Sequence, residues 1–487
     1  MSLARKAARG AIWTILSSMG ARAIGVAGTL VMTRFLHPHQ IGEVSDAVVI
    51  GMTANWATIW GFGQYTVVKG RGPDAAEVTW HATVAYMALG ALSLGLVALL
   101  GGKLAPFFDA PRAAAYVPFV ALALFIRRIG AIPERVLQRQ MKFRAPGMAL
   151  FAGELVYTLT ALLLAALGHG GWSIVIANIV QSCVVVLILI RASGIASWAT
   201  PTPLKWSRFA DMLRYGVPLG IQGLAHGASR YWDNLTISHY FGPGPTGAYN
   251  MAYNLADIPA VQVGEQIALV LMPSMAELPP ERRPRALERS TALLSLVIFP
   301  LAVGLGLVAY PLIALILPAN EWQLVAPLLV VLACLSVFRP IVWVLSAYME
   351  AESKTNRLMI LEVAKLALLV IGIIALQQFG IRVASGAVGA SFGITAIAGV
   401  VLVMREGTSP RRLLAGFLQP IAACAVMAAA ALGVREGLVA AGLTHPAIIL
   451  VAMIVAGAAA YVVAALIICR ETSRDMIDLV KKAMSRG

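Results

Sequence analysis

The chain has 487 residues, of which 59% are hydrophobic and only 13% charged, and its mean hydropathy is +0.80. A soluble domain carries roughly 25% charge; a water-soluble body of this size could not hide so much apolar surface, so the composition selects a bilayer as solvent. The 38 Lys and Arg against 23 Asp and Glu leave a net +15, which in a soluble protein would point to nucleic acid and here is weighed first as membrane topology.

A span needs about 20 mostly apolar residues. Fourteen segments qualify: 10–33, 43–67, 80–102, 114–135, 147–168, 171–190, 214–239, 247–273, 290–317, 323–349, 357–378, 383–404, 413–433 and 446–469. The fold class is an all-α polytopic membrane protein. Arg5, Lys6 and Arg9 precede the first segment. It is too long for a cleaved leader and has no small-residue cleavage site, so it reads as a membrane helix. Turn chemistry separates the spans, as in Leu36-His37-Pro38-His39 and Gly242-Pro243-Gly244-Pro245. Residues 205–213 read as a short amphipathic helix on the membrane surface before the seventh span.

Charge orients the spans. With both termini cytoplasmic, and with Arg135, Arg214 and Arg357 at the span borders counted inside, inside regions hold 27 Lys and Arg, outside loops hold five (Arg34, Lys103, Arg112, Arg382 and Arg435), and six lie within spans. Such a bias sets orientation. The inside regions also hold 12 acids, so the whole +15 excess lies on the cytoplasmic face, against anionic lipid. It is no nucleic-acid footprint.

Shifting the sequence by 205 aligns residues 9–47 with 214–252. Arg9, Leu30, Pro38, Gly42 and Ala47 meet Arg214, Leu235, Pro243, Gly247 and Ala252. The shared core is an aromatic-x-x-Pro-x-x-x-Gly turn, Phe35 to Gly42 and Tyr240 to Gly247. Parallel repeats place two six-helix lobes, 1–200 and 201–408, around a central cavity. Residues 409–487 form an appended helix pair and a cytoplasmic tail.

Charges within spans are costly and face a cavity or a partner. Arg22 sits in the first span on a face with Ser18, Gly25 and Thr29. In the second, Asp46, Thr53, Trp60 and Gln64 form one stripe, within about 40° of arc. The fourth holds Arg127 and Arg128. In the seventh, Gln222, His226, Arg230 and Asp233 share a stripe, although Arg230 and Asp233 could also simply pair. The eighth opens with Tyr249, Tyr253 and Asp257; the tenth holds Arg339-Pro340, where proline bends the helix; the eleventh carries Glu362 and Lys365, three apart. Aromatic and amide groups suit sugar rings and hydroxyls. The five arginines (Arg22, Arg127, Arg128, Arg230, Arg339) suit phosphate oxygens. Together they predict an anionic, phosphorylated substrate. Asp46, Asp233, Asp257 and Glu362 would balance charge or carry coupling.

The four cysteines are scattered singly, with no metal or disulfide spacing. No phosphate-binding Gly-rich loop, hydrolytic triad or metal motif occurs, so neither an enzyme nor a resident cofactor or metal is expected.

The opening Lys6-Ala-Ala-Arg-Gly10-Ala-Ile-Trp13, the two Pro-x-x-x-Gly turns and the basic run Arg135-Val-Leu-Gln-Arg139-Gln-Met-Lys142-Phe143-Arg144 resemble the polysaccharide transporter group. This is the O-antigen-type flippase family of the multidrug/oligosaccharidyl-lipid/polysaccharide superfamily. The resemblance implies a flippase for an undecaprenyl-diphosphate-linked oligosaccharide. The substrate would pass from the cytoplasmic to the periplasmic leaflet of the bacterial inner membrane by alternating access. It matches Arg22 to a cavity arginine and Arg230 and Asp233 to a charged seventh span. It also implies membrane lipids and polysaccharide polymerase or export proteins as partners. A sodium site in related flippases would draw on Asp233 and Glu362; Lys365 opposes it, and a proton or the membrane potential is equally open. The alternatives are a cation-coupled drug or metabolite antiporter of the same superfamily and a membrane-embedded glycosyltransferase or polymerase.

Overall fold

The computed structural model describes residues 3–70, 73–104, 106, 112–140, 142, 144–259, 279–318, 321–352, 354–404 and 408–484. Among these residues every regular element is a helix, as lipid requires of segments that must satisfy their own backbone groups. Among the described residues, ten helical stretches are long and apolar enough to cross a membrane. Of the other four predicted spans, 10–33 and 214–239 fall on long helices, 43–67 is broken, and 247–273 is described only to residue 259.

Helix packing divides the chain into two compact units, Met1–Gly247 and Ala248–Gly487. The first contains α1 (Leu3–Met32), α2 (Pro38–Trp56), α3 (Phe62–Lys69), α4 (Ala75–Leu104), α5 (Ala113–Ile129), α6 (Ala131–Arg139), α7 (Arg144–Ala166), α8 (Trp172–Ser193) and α9 (Trp206–Phe241). α10 (Pro243–Pro259) begins there and runs into the second unit. That unit continues with α11 (Arg283–Leu307), α12 (Ala309–Ile316), α13 (Val325–Leu335), α14 (Arg339–Ala351) and α15 (Thr355–Leu376). It ends with α16 (Ile381–Met404), α17 (Pro410–Ala440), α18 (Pro446–Ile468) and α19 (Arg470–Met484).

In the first unit, Val44, Ala47 and Ile50 of α2 bury against Val117 and Val120 of α5 and Val175 of α8. Pro38 opens α2 at a position where its missing N–H costs nothing, and the Gln40 Oε1 accepts the His37 N–H at 3.1 Å. The two copies of the repeat's turn meet. A Cβ on Gly42 would overlap the Pro243 carbonyl oxygen, and one on Gly247 would overlap the Pro38 carbonyl oxygen. The shared Pro-x-x-x-Gly spacing now has a cause. Proline starts each helix, and the glycine one turn later lets the other copy's backbone approach, as small residues do in membrane helix packing.

The second predicted span is not one helix. α2 ends at Trp56, and Gly61 takes φ +63° before α3, a left-handed conformation open to glycine. A Cβ on Gly216 of α9 would overlap the Trp60 carbonyl oxygen, so Trp60 occupies the connection, not a helical stripe with Asp46. Residues 205–213 are likewise not a separate surface helix. From Trp206 onward they are the first turns of α9, whose 36 residues run unbroken. Met212 is fully buried and Phe209 lies 5.0 Å from the His81 ring. The Lys205 Nζ and Arg208 Nε each reach Glu77 at 2.8 Å, and the Arg208 guanidinium reaches Asp74 at 2.7 Å.

In the second unit, Phe299 of α11, Met427 of α17 and Tyr461 of α18 share a core; the Tyr461 hydroxyl donates to the Leu296 carbonyl at 2.6 Å. A 3-10 turn, Ser336–Phe338, separates α13 from α14. Pro340 has no N–H for the Ser336 carbonyl, so the α-helical hydrogen-bond ladder is interrupted next to Arg339-Pro340. Beyond the apolar part of α14, the Arg283 guanidinium lies 2.7 Å from Glu352 and holds its carboxyl below the usual carboxylate range, with Lys354 helping.

Candidate functional site

Buried polar groups cluster in both units. In the first, α2 faces α9. The Ser238 hydroxyl donates to Asp46 Oδ2 at 2.5 Å, the Trp232 indole donates to Thr53 Oγ1 at 3.1 Å, and the Trp56 and Tyr231 rings stand 5.3 Å apart. Asp46 and Asp233 are both completely buried. Asp233 Oδ1 accepts the backbone N–H of Asn234 at 2.8 Å, whereas Asp46 Oδ1 has no hydrogen-bond partner among the described residues. Trp60 lies against Gly216 and Gly220 and donates its indole N–H to the Ala57 carbonyl at 2.7 Å. The side chains of Gln222, His226 and Arg230 lie outside the described residues.

The neighbouring arginines part ways. Arg127 is exposed. Arg128 is buried and donates to the Tyr86 carbonyl at 2.8 Å, Asn55 Oδ1 at 2.8 Å, the Thr58 hydroxyl at 3.0 Å and the Thr58 carbonyl at 2.9 Å. It lies 4.0 Å over the Tyr86 ring. Gly90 makes room for it, since a Cβ there would overlap the guanidinium. Arg128 thereby ties the frayed end of α2 to α4 and α5. Lysine offers one point charge in place of this fork. Arg128→Lys is expected to lower stability by about 2–3 kcal/mol, read as an earlier melting transition in detergent. Arg127→Lys, at an exposed site, is the matched control and leaves the transition in place.

Arg22 is half-buried on α1, one turn before Gly25. There Glu154 of α7 presses on the α1 backbone while accepting from the Gln181 amide at 3.0 Å.

In the second unit the predicted residues converge. Asp257 of α10 forms an ion pair with Arg339 of α14. The Arg339 guanidinium lies 5.2 Å from the Tyr253 ring and 5.2 Å from the Phe392 ring, and Lys365 Nζ sits 4.9 Å from that same Phe392 ring. Lys365 in turn pairs with Glu362 Oε2 at 2.7 Å. All four charged groups are buried. The sequence thus places two cations and two carboxylates around aromatic faces on four helices, α10, α14, α15 and α16. Such a cluster is electrically balanced, and each cation is held by a carboxylate and a π-face. Among the described residues no three His, Cys, Asp or Glu side chains converge as a metal site would need.

The sequence pattern of the family described as "Polysaccharide biosynthesis protein" matches residues 31–327, more than half of the chain. The chain belongs to that family. The resemblance read from the two proline-glycine turns and the basic runs is borne out. Among polysaccharide biosynthesis relatives, the succinoglycan biosynthesis transport protein ExoT of Rhizobium meliloti is 26% identical over 336 residues, 68% of this chain and 66% of that protein. The lipopolysaccharide biosynthesis protein WzxC of Escherichia coli is 21% identical over 400 residues, 81% of this chain and 78% of that protein. In fold, this polysaccharide biosynthesis protein is similar to a solved lipid II flippase, MurJ, in an inward closed conformation. The TM-score is 0.74 at 13% identity, over 94% of this chain and 99% of that one.

Sequence reasoning missed the partners. Phe392 could have been noticed as the one aromatic side chain in the small-residue run Ser385 to Gly393 of α16. Asn55, Thr58 and Ser238 carry no such signal, because a single hydroxyl or amide in a span is commonplace until the helix opposite is known.

Proposed function

We propose that this polysaccharide biosynthesis protein is a flippase for an undecaprenyl-diphosphate-linked oligosaccharide, moving it from the cytoplasmic to the periplasmic leaflet of a bacterial inner membrane. The supporting observation is the buried Asp257–Arg339–Phe392–Lys365–Glu362 cluster in a chain of this family. A diphosphate crossing hydrocarbon alone would face a very large desolvation cost. Arginine and lysine side chains replace its hydration, and the carboxylates that hold them beforehand reclaim them on release. In this reading Tyr253, Trp60 and Gln222 offer faces and amides to sugars, while Arg22, Arg127, Arg128, Arg230 and Arg339 supply cationic attraction. Asp46, Asp233, Asp257 and Glu362 balance the charge or carry coupling. Fourteen spans, two six-helix lobes and a C-terminal pair would work by alternating access, with both termini cytoplasmic and a polymerase or export protein taking the product.

The test is reconstitution in liposomes carrying a fluorescent undecaprenyl-diphosphate oligosaccharide, read as its exposure to a membrane-impermeant quencher. The full chain is expected to expose the inner-leaflet pool, and Arg22→Ala with Arg230→Ala to slow this at least tenfold. Unchanged rates in the double variant overturn the cationic reading. Transport of a cationic dye in place of the glycolipid supports the antiporter instead.

A further inference from the structure

The second unit carries a cleft that shares no residue with the Asp257–Glu362 cluster. It has a volume of about 1240 Å³, above the roughly 300–1,000 Å³ of an ordinary small-molecule site. Three chain positions bound it: the first turns of α11, the first turns of α17, and the α18–α19 junction. Its charged lining is Arg282, Arg285, Arg289, Arg412 and Arg470 against Glu288, Glu471 and Asp475.

Two of the three acids are already engaged. Asp475 accepts Arg289 at 2.7 Å. Glu288, mostly buried, accepts the Ser409 backbone N–H at 2.6 Å and has Arg412 at 3.7 Å. Arg282, Arg285 and Arg470 form no ion pair among the described residues and face the single remaining acid, Glu471. The cleft therefore keeps a surplus of two positive charges at the ends of membrane-length helices. Apolar side chains, Ala286, Leu293, Ala415 and Ile468, line the same cleft beside Ser290, Gln419 and Thr472. Beside it, Leu414 and Leu418 of α17 are exposed along the helix. A free anion would satisfy the arginines and leave those apolar side chains wet. An anion attached to an alkyl chain satisfies both.

We propose that this cleft binds the phosphate headgroup of an anionic membrane lipid. Arg282, Arg285 and Arg470 grip the phosphate, and the first part of an acyl chain lies on the apolar side chains of α11 and α17. Basic pockets between membrane helices take such headgroups, and the guanidinium fork matches phosphate oxygens. The lipid would brace α11, α17 and α19 together from the surface, as the Glu288 contact to Ser409 does from within.

The purified full chain, in detergent, is titrated with phosphatidylglycerol, phosphatidylcholine and water-soluble glycerol 3-phosphate, with bound lipid counted by native mass spectrometry and melting followed in parallel. Phosphatidylglycerol is expected to bind and to raise the melting temperature; phosphatidylcholine and glycerol 3-phosphate are not. Arg285→Ala with Arg470→Ala is expected to weaken phosphatidylglycerol binding at least about tenfold. Arg435→Ala, an exposed arginine outside the cleft, leaves it unchanged. Both changes fall on exposed side chains, and an unaltered melting profile without lipid confirms folding. Equal lipid retention by wild type and double variant overturns the site. Protection by glycerol 3-phosphate as strong as that by phosphatidylglycerol overturns its assignment to lipid.

Discussion

Gly42→Ala and Gly247→Ala are each expected to cost at least about 3 kcal/mol, the upper range for overpacking a close-packed contact, and to reduce folded protein in the membrane sharply. In each case the added methyl meets a backbone carbonyl, Pro243 or Pro38, which cannot rotate aside as a side chain can. The measurement is the fraction of monodisperse protein after extraction, with its melting temperature. Gly95 of α4 and Gly433 of α17 have nothing within 4 Å of a built Cβ. Alanine at either is expected to be neutral or to stabilise by up to about 1 kcal/mol, because alanine loses less entropy in a helix. If all four variants behave alike, the reciprocal contact is not what fixes these glycines. The double variant is informative too. Both methyls intrude at one interface, so their costs are expected to be less than additive.

The second large effect is at Arg339. Removing one partner of a buried ion pair costs about 3–5 kcal/mol, so Arg339→Gln alone and Asp257→Asn alone are both expected to fold poorly. Combined, they remove both charges while keeping similar volume, and stability is expected to return to within about 1 kcal/mol of wild type. If the pair serves only packing, the double variant also recovers glycolipid transport. If Arg339 meets the diphosphate, as proposed, the double variant folds and yet transports at least tenfold more slowly. Melting and transport of the three variants separate the two roles. A double variant as unstable as the singles would show that the aromatic contacts to Tyr253 and Phe392, not the ion pair, hold Arg339.

Membrane class and helical character follow from hydropathy alone, since no other solvent suits the composition. The repeat was legible for a physical reason: proline and glycine are the residue types whose backbone roles survive divergence of everything around them. Tyr253 and Asp257 were legible because a four-residue spacing fixes a common helix face, and Arg339 because a charge in a span must be answered. What answers each charge was not legible. Ser238 opposite Asp46, Phe392 between two cations, and Asn55 and Thr58 around Arg128 are set by which helices touch, and period says nothing of that. The same limit explains the second predicted span. No charge or proline interrupts 57–61, and only Gly61's left-handed backbone and the press of Gly216 against the Trp60 carbonyl reveal the break.

α9 has a mechanical consequence. At 1.5 Å per residue its 36 residues extend about 54 Å, well past a hydrocarbon core of roughly 30 Å. One end is clamped at Glu77 and Asp74, the other by Ser238 on Asp46. Between them lie Gly216, Gly220, Gly223 and Gly227, each giving up about 0.8–1 kcal/mol of helix preference relative to alanine. The weakest helix formers of α9 thus lie between the two clamps rather than at them. There Trp56 and Trp60 brace one side, against Gly227 and Gly220. The glycine stretch of α9 is therefore held by what packs on it from outside, Trp56 and Trp60, rather than by side chains of its own.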